Sequence, residues 1–178
     1  MKLRSRTDWI ILHCSDTPND RDVTTEDIRG WHIDRSFKDI GYHFVIERSG
    51  EIYEGRDLEA TGAHCQGMNS CSIGVCLVGR DQFTWHQWHS VKVLCDVLVR
   101  DYKLALSSVR LHHEFPSAQK QGKKCPNFNK ANLYWYLSTG NLQAVSDYLS
   151  ESNLLIGGGK NGKGALRVTS TEGSQRSH

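Results

Sequence analysis

Three residues that lie far apart in the sequence carry side chains that together could hold a metal ion. His13 follows the apolar run 9–12, His112 follows a second short apolar run, and Cys125 precedes a proline in a basic loop. Two imidazoles and one thiolate are ligands that zinc prefers, and three protein ligands leave the fourth tetrahedral position for a water that the metal acidifies. The chemistry that this set predicts is metal-assisted hydrolysis.

Lys123 lies two residues before Cys125 and has two interpretations. In the basic run 120–124 it is by default a solvated loop lysine. Its functional interpretation is an ammonium that stabilises the oxyanion formed when zinc-activated water attacks an amide carbonyl, and that favours the thiolate of Cys125. Lys120 and Lys124 lie in the same run and compete for this role.

Each of these residues, taken singly, also has an ordinary structural interpretation. A lone histidine such as His13 more often makes hydrogen bonds within the protein than binds a metal, and the three residues lack the short spacing of a local zinc motif. Tyr42 reads equally well as a strand aromatic, and His64 as a loop histidine bonded to backbone. From the residues alone, the metal site is a hypothesis.

Short apolar runs bounded by turn residues predict the strands that position these side chains. The run 9–12 predicts a buried strand that ends at the turn 14–20, so that His13 lies at its exit. Residues 42–47 and 51–54 predict a hairpin. The run 72–79 predicts a central strand buried on both faces, and 109–112 predicts a further short strand.

Three helices are predicted among these strands. Thr24 is a predicted N-cap for a helix over 25–34, and the segment 129–137 predicts a helix that ends near Gly140. The strongest helical pattern is in a long segment that opens at residues 83–87, with apolar residues at Trp88, Val91, Leu94, Cys95 and Leu98. Irregular alternation of strands and helices indicates an α/β fold.

The chain of 178 residues is long enough for one well-buried core, and we expect a single domain over 9–139. Residues 1–8 form a basic N-terminal arm, and 140–178 form an extension with a weak helix followed by a flexible glycine- and lysine-rich tail. Its net charge of +2 is too small to predict general nucleic-acid binding, although it suits a polyanionic partner such as a bacterial wall.

No apolar stretch approaches the roughly 20 residues of a membrane span, and the run after the basic N-terminus is too short for a signal peptide. We therefore expect synthesis in a cytoplasm and no membrane insertion. The six cysteines are too few for a disulfide scaffold. A bridge between Cys65 and Cys71 is conceivable, but reduced thiols are the expected state.

A series of motifs, in order along the chain, resembles the zinc amidases of the peptidoglycan-recognition superfamily, the type-2 amidases. The resemblance covers about residues 9–137 and is highly specific because the motifs occur together and in order. The matching segments are Ile-Leu-His-Cys-Ser (11–15), Gly-Tyr-His-Phe-Val-Ile (41–46), Gly-Ala-His-Cys-Gln-Gly-Met-Asn (62–69), Ser-Ile-Gly-Val-Cys-Leu-Val-Gly (72–79), His-His-Glu (112–114) and Cys-Pro (125–126).

The resemblance implies a role for each candidate residue. Carried over position by position, it makes His13, His112 and Cys125 the ligands of one zinc ion per chain, with Tyr42 and Lys123 at the catalytic positions. His113 becomes a neighbour of the site, and His64 is assigned to substrate or transition-state contact. The implied fold is a single domain with a central mixed β-sheet flanked by helices and a zinc groove at the strand ends.

The implied activity is hydrolysis of the amide between N-acetylmuramic acid and L-alanine in bacterial peptidoglycan. Phage members of the family are endolysins, made in the host cytoplasm, that reach the wall after the membrane is permeabilised and cause host lysis. The loop 114–124 is longer here than in those members, so the position of Lys123 rests on its spacing from Cys125.

Two alternatives to the lytic enzyme stay open. A phage member of the family also inhibits a single-subunit phage RNA polymerase, so this chain could be a regulatory inhibitor, or bifunctional. Other members are non-catalytic peptidoglycan-binding proteins that lack the cysteine, and the presence of Cys125 argues against that class. We expect a monomer.

Overall fold

The computed structural model describes residues 1–150, and a five-stranded mixed sheet lies at its centre. The strand order is β3-β2-β4-β1-β5, in which only the β2–β3 hairpin is antiparallel. The predicted mixed sheet flanked by helices is confirmed. The strands are β1 (Trp9–Cys14), β2 (Phe44–Ile46), β3 (Ile52–Glu54), β4 (Ser72–Leu77) and β5 (Val109–Leu111).

The helices begin and end where the sequence supplies capping residues. Thr24 and Asp27 form a reciprocal capping box, as do Thr84 and Gln87, and Gly140 ends the last helix with a left-handed φ of 70°. The α-helices are α1 (Thr25–Asp34), α2 (Trp85–Asp101), α3 (Pro116–Lys120) and α4 (Lys130–Thr139), and 3-10 turns span Leu106–Ser108, His112–Glu114 and Leu142–Tyr148.

The sheet separates two layers because successive strand residues face opposite sides. Ile10, Leu12 and Cys14 of β1 pack into the main core with α2 and α4, whereas Ile11 packs on the other face. The predicted apolar positions of α2 are all buried. Helix α1 covers the second face through Ile28. His13 shares the parity of Ile11, and its side chain therefore lies on the face opposite the main core.

The N-terminal segment lies against the loop that follows β3. The backbone N–H of Arg4 donates to the carbonyl of Glu59 at 2.7 Å, and the buried Arg4 guanidinium donates to the carbonyl of Leu58 and to the Tyr102 hydroxyl. Leu3 forms an antiparallel bridge with Ala60. The basic segment 1–8 is thus held to the domain by backbone hydrogen bonds as well as by its arginine.

The weak helix predicted after Gly140 takes the form of 3-10 turns. The segment is kinked at Val145, whose backbone has non-helical angles (φ −121°, ψ 18°). Ala144 and Val145 are nevertheless buried in the main core. The predicted boundary after residue 139 stays a prediction, and the predicted flexible tail lies outside the described residues.

All six cysteines lie within residues 1–150 and are free thiols, including Cys65 and Cys71. In the same part of the chain, no helix combines the length and the apolar character that crossing a bilayer requires.

Candidate active site

His13, His112 and Cys125 converge at one edge of the sheet. Their ligand atoms all lie within 4.8 Å of one another, and the rings of His13 and His112 have centroids 4.3 Å apart. This proximity follows from the topology: β1 and β5 are parallel neighbours, so that the residue near the end of β1 and the residue directly after β5 meet at the same edge.

Cys125 reaches this edge because the long loop after His112 folds back on itself. The segment contains α3, and the backbone N–H of His113 donates to the carbonyl of Cys125 at 2.9 Å. The N–H of Cys14, at the end of β1, donates to the Cys125 sulfur at 3.0 Å. The loop therefore includes α3 and still brings Cys125 beside the two histidines.

Glu114 anchors the start of this loop. Its carboxylate accepts from the N–H of Leu111 at 2.9 Å, from the Arg110 guanidinium at 2.5 Å and from the Lys130 ammonium at 2.8 Å. The Glu114 side chain is only 13% exposed, so these contacts are better shielded from solvent than surface ion pairs. The loop is thereby fixed to both β5 and α4.

Both histidines are held in the neutral form. Burial lowers the pKa of His13 well below its usual value, and the neighbouring His64 and His112 lower it further. Burial, followed by the charge of Lys123, lowers the pKa of His112 to about 4. Among the described residues, the buried Nδ1 of His112 has no hydrogen-bond partner. A neutral imidazole with a free nitrogen beside a sulfur ligand is a donor set that fits zinc.

The Cys125 sulfur lies against Cys14. Hydrogen bonding with Cys14 and burial raise the pKa of Cys125. The expectation that Lys123 keeps this sulfur as a thiolate stays a prediction. A bound cation would have to displace the thiol proton.

Tyr42 lies two residues before β2, and its ring packs beside the imidazole of His13. Its ring centroid is 5.0 Å from that of His13. Burial raises the pKa of Tyr42 well above its usual value, so the phenol keeps its proton and remains a neutral hydrogen-bond donor.

Lys123 is exposed at the rim of the same groove. Its backbone N–H donates to the carbonyl of Ala118 at 3.0 Å, which ties the end of the loop to α3. Its charge contributes to the lowered pKa of both His13 and His112, which places the ammonium near the cluster. Lys124 also lines the groove, whereas Lys120 does not.

His64 also lines the groove, but protein atoms engage both of its ring nitrogens. Its Nδ1 lies 3.0 Å from Nε2 of His13, and its Nε2 lies 3.4 Å from the Ser72 hydroxyl. The predicted substrate contact would have to come from the carbon edge of the ring.

The groove encloses about 660 Å³, and sequence reasoning missed one of its walls. This wall is the C-terminal part of α1 and the residues after it: Trp31, His32, Arg35 and Phe37. His32 accepts the N–H of Gly41 at Nδ1 (2.8 Å), and burial followed by the nearby Arg35 lowers its pKa to about 4. The one available signal was the placement of Trp31, His32 and Arg35 near the end of one helix, which does not by itself indicate a groove.

Comparison with known proteins agrees with this geometry. The family described as N-acetylmuramoyl-L-alanine amidase matches residues 3–128. The endolysin of Escherichia phage T7 is 40% identical over 136 residues, covering 72% of this chain and 85% of the relative. The endolysin of Enterobacteria phage K11 is 35% identical over 147 residues, covering 78% and 91%.

Solved structures share the fold. N-acetylmuramoyl-L-alanine amidase LysC from Clostridium intestinale superposes with a TM-score of 0.65 at 27% identity, covering 74% of this chain and 85% of that one. Drosophila PGRP-LB shares the fold at 22% identity, with a TM-score of 0.59 and coverage of 86% and 92%. The chain belongs to the N-acetylmuramoyl-L-alanine amidase family and is an enzyme of that class.

Proposed function

We propose that the chain is a phage endolysin that uses one zinc ion, held by His13, His112 and Cys125, to hydrolyse the amide between N-acetylmuramic acid and L-alanine in bacterial peptidoglycan. The observation that carries the proposal is the convergence of these three donors within 4.8 Å at the floor of a groove. The buried, unpartnered Nδ1 of His112 supports it, because a buried polar atom without a partner is costly unless a ligand satisfies it.

Zinc in this position would polarise the amide carbonyl and lower the pKa of a water, which is the usual contribution of an open three-ligand site. Because burial keeps His13 and His112 neutral, neither imidazole must lose a proton before it binds a cation. The thiol of Cys125 carries the one proton that binding must release.

Tyr42 and Lys123 act on the oxygen of the scissile carbonyl. The Tyr42 phenol keeps its proton and can donate a hydrogen bond as negative charge develops on that oxygen. Lys123 contributes a positive charge from the facing rim of the groove. A donor aimed at a developing oxyanion contributes on the order of 3 kcal/mol to the transition state in comparable sites.

The phage relatives support the biological role. They are endolysins, and the chain covers most of their length. Peptidoglycan-recognition proteins are among the further relatives, at 35–39% identity over about 40% of this chain, which supports peptidoglycan as the substrate. We infer that the enzyme is made in the host cytoplasm and causes lysis once the membrane is permeabilised.

The proposal is tested by digesting purified peptidoglycan with the zinc-loaded and the chelator-treated protein and analysing the products by mass spectrometry. We expect stem peptides with a free N-terminal L-alanine, glycan chains that remain uncut, and no release after zinc removal. Cleavage between sugars with intact muramoyl amides would reject the proposal.

The non-catalytic alternative is not favoured, because the described residues carry the complete donor set together with Tyr42 and Lys123. Inhibition of a phage RNA polymerase and the monomeric state stay predictions.

A further inference from the structure

The ring of His64 occupies a space that two glycines leave for it. A Cβ atom added at Gly62 would lie 2.5 Å from the ring, and one added at Gly74, in the central strand β4, would lie 2.6 Å from it. Contacts that short do not occur, so any larger residue at either position would displace the imidazole. The ring is therefore packed between two backbone segments.

The backbone that carries this ring is also fixed. The Asn69 side-chain oxygen accepts the N–H of His64 at 2.9 Å and the N–H of Cys65 at 2.8 Å. His64 consequently has little freedom either in its backbone or in its ring. A side chain held in this way is suited to positioning another group.

The hydrogen bonds around Ser72 determine which nitrogen of His64 carries the proton. The Ser72 hydroxyl lies 2.7 Å from the carbonyl oxygen of Met68, and a carbonyl can only accept, so the serine must donate its single proton there. The Ser72 oxygen can then only accept from His64, whose Nε2 lies 3.4 Å away. His64 is therefore protonated at Nε2 and has a lone pair at Nδ1.

The tautomer of His64 determines that of His13. The Nδ1 lone pair of His64 lies 3.0 Å from Nε2 of His13, and this contact is a hydrogen bond only if His13 donates from Nε2. A neutral His13 that carries its proton at Nε2 has its lone pair at Nδ1. That nitrogen is the one left available to a metal.

We propose that the series of hydrogen bonds linking Met68, Ser72, His64 and His13 fixes His13 in the tautomer that presents Nδ1 to the metal. His64 is then a positioning residue. The part that concerns the metal rests on the proposed function. This role replaces the predicted substrate contact of His64, because neither ring nitrogen is left for the substrate. Hydrogen bonding to the second nitrogen of a histidine ligand orients the ring and increases its basicity.

The tautomers can be measured without any metal. Two-bond ¹H–¹⁵N correlation spectra of the ¹⁵N-labelled, zinc-free protein distinguish protonated from unprotonated ring nitrogens. We expect the proton at Nε2 in both His64 and His13. In Ser72→Ala, the His64 proton should no longer be confined to Nε2. A proton at Nδ1 of His13 in the zinc-free wild-type protein would overturn the proposal.

Zinc affinity, measured by competition with a chromophoric chelator, tests the consequence. His64→Leu removes the acceptor and should weaken zinc binding by about 10- to 100-fold, the usual cost of losing such a partner. His64→Asn places an amide oxygen near the former Nδ1 and should recover most of that loss. Cys65→Ala changes the adjacent buried residue and should bind zinc like the wild type.

Equal zinc affinity in folded His64→Leu and the wild type would also overturn the proposal. If His64→Leu fails to fold, the tautomers of the wild-type protein decide alone. A wild-type protein that binds no zinc but shows the expected tautomers would reject the proposed function and leave the hydrogen-bond chain intact, so the two failures are distinguishable.

Discussion

His13 belongs to a strand that is buried on both faces, whereas Cys125 and Lys123 lie at the end of a loop whose residues 119–124 are all exposed. The sheet side of the site is fixed by parallel strand pairing and by His64, which is packed against two glycines. The loop side depends on a few individual hydrogen bonds and on the anchor at Glu114. The two sides should therefore respond differently to substitution. Apart from His64, which contacts a candidate ligand, the sheet side should respond mainly through folding stability, and the loop side mainly through metal binding and turnover.

The largest effect is expected from the loop's sulfur ligand. Cys125→Ser should lose stoichiometric zinc and reduce amidase activity by more than the roughly 100- to 1000-fold cost of one oxyanion donor, because the activated water is lost with the metal. Zinc content and initial rates measure this. Cys71→Ser is the matched control, because it makes the same exchange at a cysteine that does not line the groove. Full activity in Cys125→Ser would show that the loop sulfur is not a ligand.

The next largest effect separates the two neighbouring loop lysines. Lys123→Ala should keep zinc and lose roughly 100- to 1000-fold in turnover, because an oxyanion-stabilising charge is removed while the ligands stay. Lys124→Ala removes the adjacent charge at the groove rim and should change turnover little. A reversed outcome would mean that Lys124, rather than Lys123, has the catalytic role.

On the sheet side, a lower pH should reduce the free energy of unfolding. Burial lowers the pKa of His43 from its ordinary value of 6.5 to about 4. The unfolded chain binds this proton at a higher pH than the folded protein does. The stability that the neutral His43 contributes is therefore complete above about pH 6.5 and is lost as the pH falls toward 4. The full loss is on the order of 3 kcal/mol in the free energy of unfolding.

Denaturant unfolding at several pH values measures this loss. His43→Asn keeps an acceptor for the N–H of Gly74 and should show a flatter dependence of stability on pH than the wild type. An unchanged slope between pH 6.5 and 4 would show that His43 does not contribute to the acid sensitivity of the sheet side.

The smallest effect concerns the loop anchor. Glu114→Gln keeps a side-chain oxygen for the N–H of Leu111 but removes the charge that pairs with Arg110 and Lys130. Since both cations are partly exposed, we expect a loss of about 1 kcal/mol in stability and a zinc affinity only severalfold weaker. A zinc affinity as poor as that of Cys125→Ser would mean that the loop is far more dependent on this anchor than the geometry indicates.

The sequence predicted the elements that carry their own local signals. The N-cap at Thr24, the apolar positions of α2 and the buried run of β4 all depend on nearby residues, and each is found where it was expected. The motif order identified the three candidate ligands, and the topology then brings them together.

Features that depend on side-chain direction could not be read from the sequence. The contacts of His64 with His13 and Ser72 require the packing between Gly62 and Gly74, and the groove wall at His32 requires the position of α1 on the sheet. The contact between Cys14 and Cys125 could not be read from the sequence either, because the two residues lie 111 positions apart and meet only in the folded chain.

The most direct test of the zinc site is X-ray absorption spectroscopy at the zinc edge of the loaded wild-type protein. We expect one sulfur at about 2.3 Å and two nitrogens at about 2.0–2.1 Å, the usual distances for thiolate and imidazole ligands of zinc. The sulfur shell should disappear in Cys125→Ser and remain in Lys123→Ala. A first shell of nitrogen and oxygen alone in the wild-type protein would contradict it.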